Sequence, residues 1–176
     1  MHNSKIDNVI KVVMAGLLCT LAVVIFQSMR EHVTAIGDMA PDFSVTTDQG
    51  RIITPKNFGG KTLILNFWAS WCPPCIEEAP SLAALQQNLA GSGVVVLGVS
   101  IDKNPKLYAD FIKRFHLDIQ TMRDPDSNIA ASYGTYKIPE TYIIDKTGKV
   151  VQKFVGSPPA PNYWADPELL SFIKSI

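Results

Sequence analysis

The sequence predicts a three-layer α/β domain with a mixed central sheet, preceded by one apolar helix of membrane length. Three observations carry this. Two nearly continuous apolar runs, Thr62–Trp68 and Val94–Ile101, have the length and composition of strands covered on both faces. A helical pattern follows each of them, over about Pro73–Leu89 and about Leu107–Phe115, so strands and helices alternate before a closing hairpin and helix. The stretch Val12–Met29 contains no charged residue.

Length and composition set the bounds. The chain has 176 residues and is 47% hydrophobic, which suits one domain and a short additional segment. A domain of that size buries a core without staples. The formal net charge is zero, so the chain lacks the basic or acidic excess of a nucleic-acid or polyanion binder. It has three cysteines, Cys19, Cys72 and Cys75, too few for a disulfide scaffold. A bridge between Cys72 and Cys75 would close a tiny loop and stabilise little. Such a pair reads as reactive or metal-binding.

The elements follow in order. Residues 1–11 carry Lys5 and Lys11 against Asp7, and the positive-inside bias keeps them cytoplasmic. Residues 12–29 form the transmembrane anchor, about 27 Å of helix. The rival reading is a cleaved leader, with Val33 and Ala35 spaced for a cut after Ala35. Arg30, Glu31 and His32 before that cut, and the length of the apolar run, favour the anchor. Either way the domain is extracytoplasmic. Cys19, preceded by Leu18 rather than a small residue, does not fit a lipoprotein signal and reads as an apolar residue of the helix. Residues 30–40 form a polar tether, and 41–176 the domain.

Within the domain, Asp42–Thr47, the turn Asp48-Gln49-Gly50 and Arg51–Thr54 predict a hairpin. Ile76, Ala79, Leu82, Ala83 and Leu89 give the first domain helix an apolar stripe, interrupted by Pro80, which should kink it. Ile119–Arg123 predicts a short strand. Asp126–Tyr133 predicts a short helix with Asp124 or Asp126 at its cap. Thr141–Asp145 and Val150–Val155 predict a hairpin, and Pro167 opens the last helix.

The chemistry sits in Trp68-Ala69-Ser70-Trp71-Cys72-Pro73-Pro74-Cys75, where a buried strand hands over to a helix. Cys72 falls at the helix N-terminus, where free N–H groups and the dipole stabilise a thiolate, the nucleophile of disulfide exchange. Pro73 and Pro74 fit a first turn that needs no helical N–H bond. Cys75 is about one turn on, so the two sulfurs meet, as attacking and resolving thiols must. Zinc would need two more ligands, and His2, His32 and His116 have no ligand spacing to the pair. No metal or other cofactor is expected.

The segments LILNFWASWCPPC and YKIPETYIIDKTGKVVQKFVG resemble the TlpA/ResA-like branch of thioredoxin-fold proteins, to which CcmG is close. The resemblance spans about residues 41–176, loosely over 103–134. It implies a thioredoxin-like fold with an N-terminal β-hairpin extension, and an extracytoplasmic thiol–disulfide oxidoreductase. By sequence alone Pro139 would follow a trans bond; the resemblance implies cis, lying against the cysteines and exposing the backbone of Ile138 for pairing with a client chain. It implies proton transfer or tuning by Glu78, for which a solvated helix-start acid, like Glu77, is the alternative. It places Trp71, Pro73, Pro74, Ile138 and Glu140 at the client-binding rim. Glu140 could instead be an exposed loop acid, and Trp68 either part of the rim or plain packing. Asn66 stands where ordinary thioredoxins have a buried aspartate that accepts the second cysteine's proton.

The function expected is reduction of disulfides in extracytoplasmic client proteins, of the cytochrome c maturation or copper-site assembly type. A membrane electron donor of the DsbD/CcdA type would re-reduce the pair. The protein is expected to be a monomer in the bacterial cytoplasmic membrane, facing the periplasm. Two other classes compete. A peroxiredoxin-like peroxidase would want threonine where Ala69 stands, and a copper-binding module would use Cys72 and Cys75 with His116.

Overall fold

Apolar composition and strand parity together explain the architecture. A computed structural model of the chain describes residues 3–28, 33–46, 52–156 and 162–176. Contacts divide the chain into residues 1–32 and residues 33–176. Helix α1 is Asn3–Ser28, about 39 Å long. Its stretch Ile6–Phe26 has a mean hydropathy of 2.6 and no buried residue. That is long and apolar enough to cross a membrane, a test a leader sequence also passes. Cys19 is exposed on it.

In the second unit, β3 (Thr62–Trp68) is buried at all seven positions and lies at the centre of a five-stranded sheet. On one side follow β4 (Val94–Ser100) and β5 (Gln120–Arg123), parallel to their neighbours. On the other lie β6 (Glu140–Ile144) and β7 (Val150–Val155), antiparallel, so the sheet is mixed. Among the described residues the hairpin extension comprises the strands β1 (Val45–Thr46) and β2 (Ile52–Ile53), which pair antiparallel. Its expected turn, Asp48-Gln49-Gly50, lies outside the described residues.

Helices α2 (Pro73–Asn88), α3 (Pro105–Phe115) and α5 (Pro167–Ser175) each begin with proline, which suits an N-terminus where no N–H bond is needed. Pro80 lies inside α2. The short α4 (Asn128–Ser132) is tied by Asp124, whose carboxylate accepts the N–H groups of Asn128, Ile129 and Ala130 at 2.9–3.0 Å. Of the two carboxylates expected there, Asp124 takes the role.

Two cores result from the period-two alternation of β3. Ile64 and Trp68 face the core shared with α2, α3 and α5, which also buries Leu85, Phe111, Ile143 and Ile173. Leu63, Leu65 and Phe67 face the other, with Phe43, Tyr133 and Tyr142.

One expectation changes here, and one open alternative closes. The polar tether read over residues 30–40 is part of the packed unit from Val33 on; Arg30, Glu31 and His32 lie outside the described residues. Thr34 is wholly buried, and its N–H donates to the Tyr133 carbonyl at 3.0 Å. The N–H of Gly37 donates to Val150 at 2.8 Å, and Met39 bridges Lys149 beside β7. Trp68 is a core residue rather than a rim residue. Its ring stacks on Phe111 at 4.5 Å, and a Cβ at Gly98 would come within 2.9 Å of its Nε1.

Candidate active site

The cysteines sit where β3 ends and α2 begins. Cys72 is the N-cap of α2 and Cys75 lies in its first turn. They form a disulfide with Cα atoms 5.2 Å apart. The backbone N–H of Cys75 points at the Cys72 sulfur, 3.3 Å away, so an amide dipole and the helix terminus both face the sulfur that would carry charge after reduction. Both cysteines are equally buried, so this polarity, not exposure, distinguishes them.

The loop before Cys72 is held by a buried carboxylate. Asp102, just past β4, accepts the Ser70 N–H at 2.9 Å, the Ser70 hydroxyl at 2.8 Å and the Ser100 hydroxyl at 2.8 Å. These bonds fix the loop two residues before the sulfur. Facing it, the Ile138–Pro139 peptide bond is cis. The Ile138 carbonyl oxygen lies 3.6 Å from the Cys72 sulfur, a contact in the disulfide and a possible acceptor once Cys72 is a thiol.

The rim is uneven. Trp71 is 62% exposed, Pro73 is exposed, and Pro74 and Ile138 are half-buried. Trp71 and Ile138 line a hollow of about 240 Å³ with Ile101, Ala130, Thr135 and Tyr136. Tyr136, itself 75% exposed, is a rim residue that nothing in the sequence marked.

Glu78 lies one turn past Cys75, inside α2. It is buried rather than solvated, whereas Glu77 is exposed. The indole N–H of Trp164 donates to its Oε1 at 2.6 Å. Burial pushes the Glu78 carboxyl up to about 7, against the opposing hydrogen bonds of Trp164 and Asn66. Asn66 in turn donates to the Thr141 hydroxyl at 2.8 Å, and its own carbonyl oxygen is buried without a partner among the described residues. The site therefore holds a disulfide, a polarising helix start and a carboxyl that titrates near neutrality. That set can exchange disulfides and move a proton.

Not every expected residue converges on it. Glu140 is wholly buried on the opposite face of the sheet, bonded to Lys153 and Tyr142, and is neither a loop acid nor on the exposed rim. Its position is dictated by strand parity: it pairs with Phe67 and shares the face of Tyr142 and Ile144. His116 is exposed at the end of α3. Among the described residues, no group of three or more His, Cys, Asp or Glu side chains is placed to hold a metal ion.

The AhpC/TSA family model matches residues 36–153, most of the second unit. The chain belongs to the AhpC/TSA family. Curated relatives in this thioredoxin-fold family make it a thiol–disulfide oxidoreductase. It is 35% identical over 127 residues to thiol-disulfide oxidoreductase ResA of Bacillus thuringiensis, covering 72% of this chain and 73% of the relative. It is 28% identical over 144 residues to ResA of Bacillus subtilis, covering 80% of each. Among solved structures, a thiol:disulfide interchange protein DsbE from Chlorobium tepidum superposes with a TM-score of 0.72 at 28% identity, covering 80% of this chain and 99% of that one. A secreted Mycobacterium tuberculosis disulfide oxidoreductase, described as homologous to E. coli DsbE, gives 0.64 at 26%, covering 76% and 96%. The mixed-sheet α/β architecture expected from the alternating pattern, and the thioredoxin-like fold that the resemblance implied, both hold for this family member.

Proposed function

We propose that this protein is a membrane-anchored reductase of disulfides in extracytoplasmic client proteins. The observation that carries the reading is the cysteine pair at the start of α2 with a buried carboxyl titrating near 7 one turn further on. Cys72, as thiolate, attacks one sulfur of a client disulfide; the other client sulfur leaves and takes up a proton. Cys75 passes its proton to Glu78 and attacks Cys72, releasing the second client thiol. The client gains two electrons and the Cys72–Cys75 pair is left oxidised. A membrane electron donor of the DsbD/CcdA type restores it. The client presents an extended segment to the Ile138 backbone and contacts Trp71, Pro73 and Pro74. Apocytochrome c and copper-site assembly proteins are the client classes we favour.

Topology follows from charge and packing. Lys5 and Lys11 before the apolar span favour a cytoplasmic N-terminus and an extracytoplasmic domain. Retention of the anchor is supported by Thr34: a cut after Ala35 would remove a wholly buried residue whose carbonyl accepts the Lys153 ammonium at 2.9 Å. A mature chain starting at Ile36 in the soluble fraction would overturn the anchor. A peroxidase reading has no comparable support, since a buried alanine, not a hydroxyl, stands three residues before Cys72.

Trapping tests the roles. In cells, Cys75→Ser should accumulate a mixed disulfide with client through Cys72, and Cys72→Ser should accumulate none. The reverse pattern would exchange the attacking and resolving assignments. The direction of flow is tested separately by acid quenching and alkylation: the pair should be mostly reduced in growing cells and mostly oxidised when the electron donor is deleted. A pair that stays oxidised with the donor present would make the protein an oxidase.

A further inference from the structure

We infer that Trp164 is a positioning residue of the active site: its indole N–H holds the Glu78 carboxyl in the interior, one helical turn from Cys75, and favours its proton-accepting carboxylate form. The inference rests on the reading of Glu78 as proton acceptor. Trp164 lies in a short 3₁₀ turn, Tyr163–Ala165, 86 residues from Glu78 in sequence. It is wholly buried, and its ring is fixed edge-on between Phe154 and Tyr163, with centroids 5.6 and 5.8 Å away. An indole N–H can only donate, and a buried donor needs an acceptor. Here that acceptor is Glu78 Oε1 at 2.6 Å.

The surroundings leave few other groups to steer this carboxyl. From β3 it meets Asn66, which is tied to Thr141 of β6. From its own helix, Cys75 lies one turn before it, with Cys72 at the cap. From the 3₁₀ turn, Tyr163 packs on Trp164, while Asp166 is engaged in capping α5. Glu168 and Lys174 of α5 are exposed, and Lys153 of β7 is bonded to Glu140 on the other sheet face. Burial opposes ionisation of Glu78; Trp164 and Asn66 oppose burial. Without Trp164, burial would face only the amide of Asn66. The C-terminal turn thereby belongs to the redox site, although it carries no redox chemistry of its own.

Two measurements on the full chain in detergent micelles test this. The first labels the indole nitrogens of the oxidised protein and follows their NMR signals between about pH 5 and 9. Of the three tryptophans, the one whose signal disappears in Trp164→Phe should titrate near 7, and should be flat in Glu78→Gln. The second follows resolution of the Cys72 mixed disulfide against pH. Trp164→Phe keeps a buried ring and removes the donor, so the acid limb should move up by about one pH unit. In a Glu78→Gln background the same substitution should move nothing further. Ile173→Ala, a packing control in the same core, should lower Tm and leave the limb in place. A flat Trp164 signal in the unaltered chain would overturn the inference, as would an equal displacement with and without Glu78. If Glu78→Gln itself leaves resolution unchanged, both the inference and the acceptor role fall. Client trapping by Cys75→Ser would then still support the exchange reaction.

Discussion

Glu78 and Glu140 are both buried carboxylates, on opposite faces of one sheet, and their neighbours differ in kind. Glu140 has the Lys153 ammonium 2.8 Å from its Oε1 and accepts the Tyr142 hydroxyl at 2.7 Å on the same atom. That ammonium also donates to Thr34 and lies 4.9 Å from the Tyr142 ring centroid. Glu78 has an indole N–H and an amide, and no cation among its influences. A buried charge with its counter-charge is committed to the architecture, here clasping the start of the domain to β7. A buried acid offered only neutral donors keeps two accessible protonation states near neutral pH, as proton transfer requires.

The largest expected effect comes from breaking the committed pair. Lys153→Met should leave Glu140 buried without its cation and cost about 3–5 kcal/mol, read as a lower urea midpoint of the oxidised protein at pH 7. An unchanged midpoint would remove the distinction between the two acids.

The second effect depends on pH, with a definite sign. The Glu78 carboxyl titrates near 7 when folded and near 4.5 when exposed by unfolding. As pH rises between those values the unfolded chain releases its proton first. The contribution of Glu78 to stability is therefore fully present below about 4.5, falls through that window, and has lost up to about 3 kcal/mol above pH 7. Glu78→Gln should remove this slope, so that urea midpoints at pH 5 and pH 8 differ less than in the unaltered protein. The same slope in both proteins would mean that Glu78 does not titrate in the fold. The smallest effect should come from Glu77→Gln, one residue away but exposed. It should change stability by no more than about 0.5 kcal/mol and leave the pH profile of mixed-disulfide resolution in place.

What could be read without coordinates is what local chemistry controls. The handover from an apolar run to a helix start, the prolines after Cys72 and the three-residue spacing of the cysteines all act within a few residues. They place the pair at the N-cap of α2 whatever the rest of the chain does. The central position of β3 followed from its nearly continuous apolar run, and the terminal hairpin from the turn Lys146-Thr147-Gly148 between its strands. Family resemblance added the cis bond before Pro139, which neither composition nor spacing could supply.

The remainder depended on partners far away in sequence. Helical spacing placed Glu78 near Cys75 but could not say whether it was wet or dry; Trp164 and the core around it decided that. Trp68, within the redox motif, was open between rim and packing, and the resemblance placed Glu140 at the rim. Strand parity turned Trp68 onto Phe111, and the register of β6 against β3 turned Glu140 inward opposite Phe67. Residues 30–40 read as a polar tether between the apolar helix and the domain, yet from Val33 on their backbone groups found partners on β7 and Tyr133. The place of the redox sulfurs was legible from residue order alone, because helix starts and proline act locally. Which acid shares their interior, and that it titrates near neutrality, came from distant partners, because burial and a hydrogen bond from 86 residues away exist only once the sheet is covered.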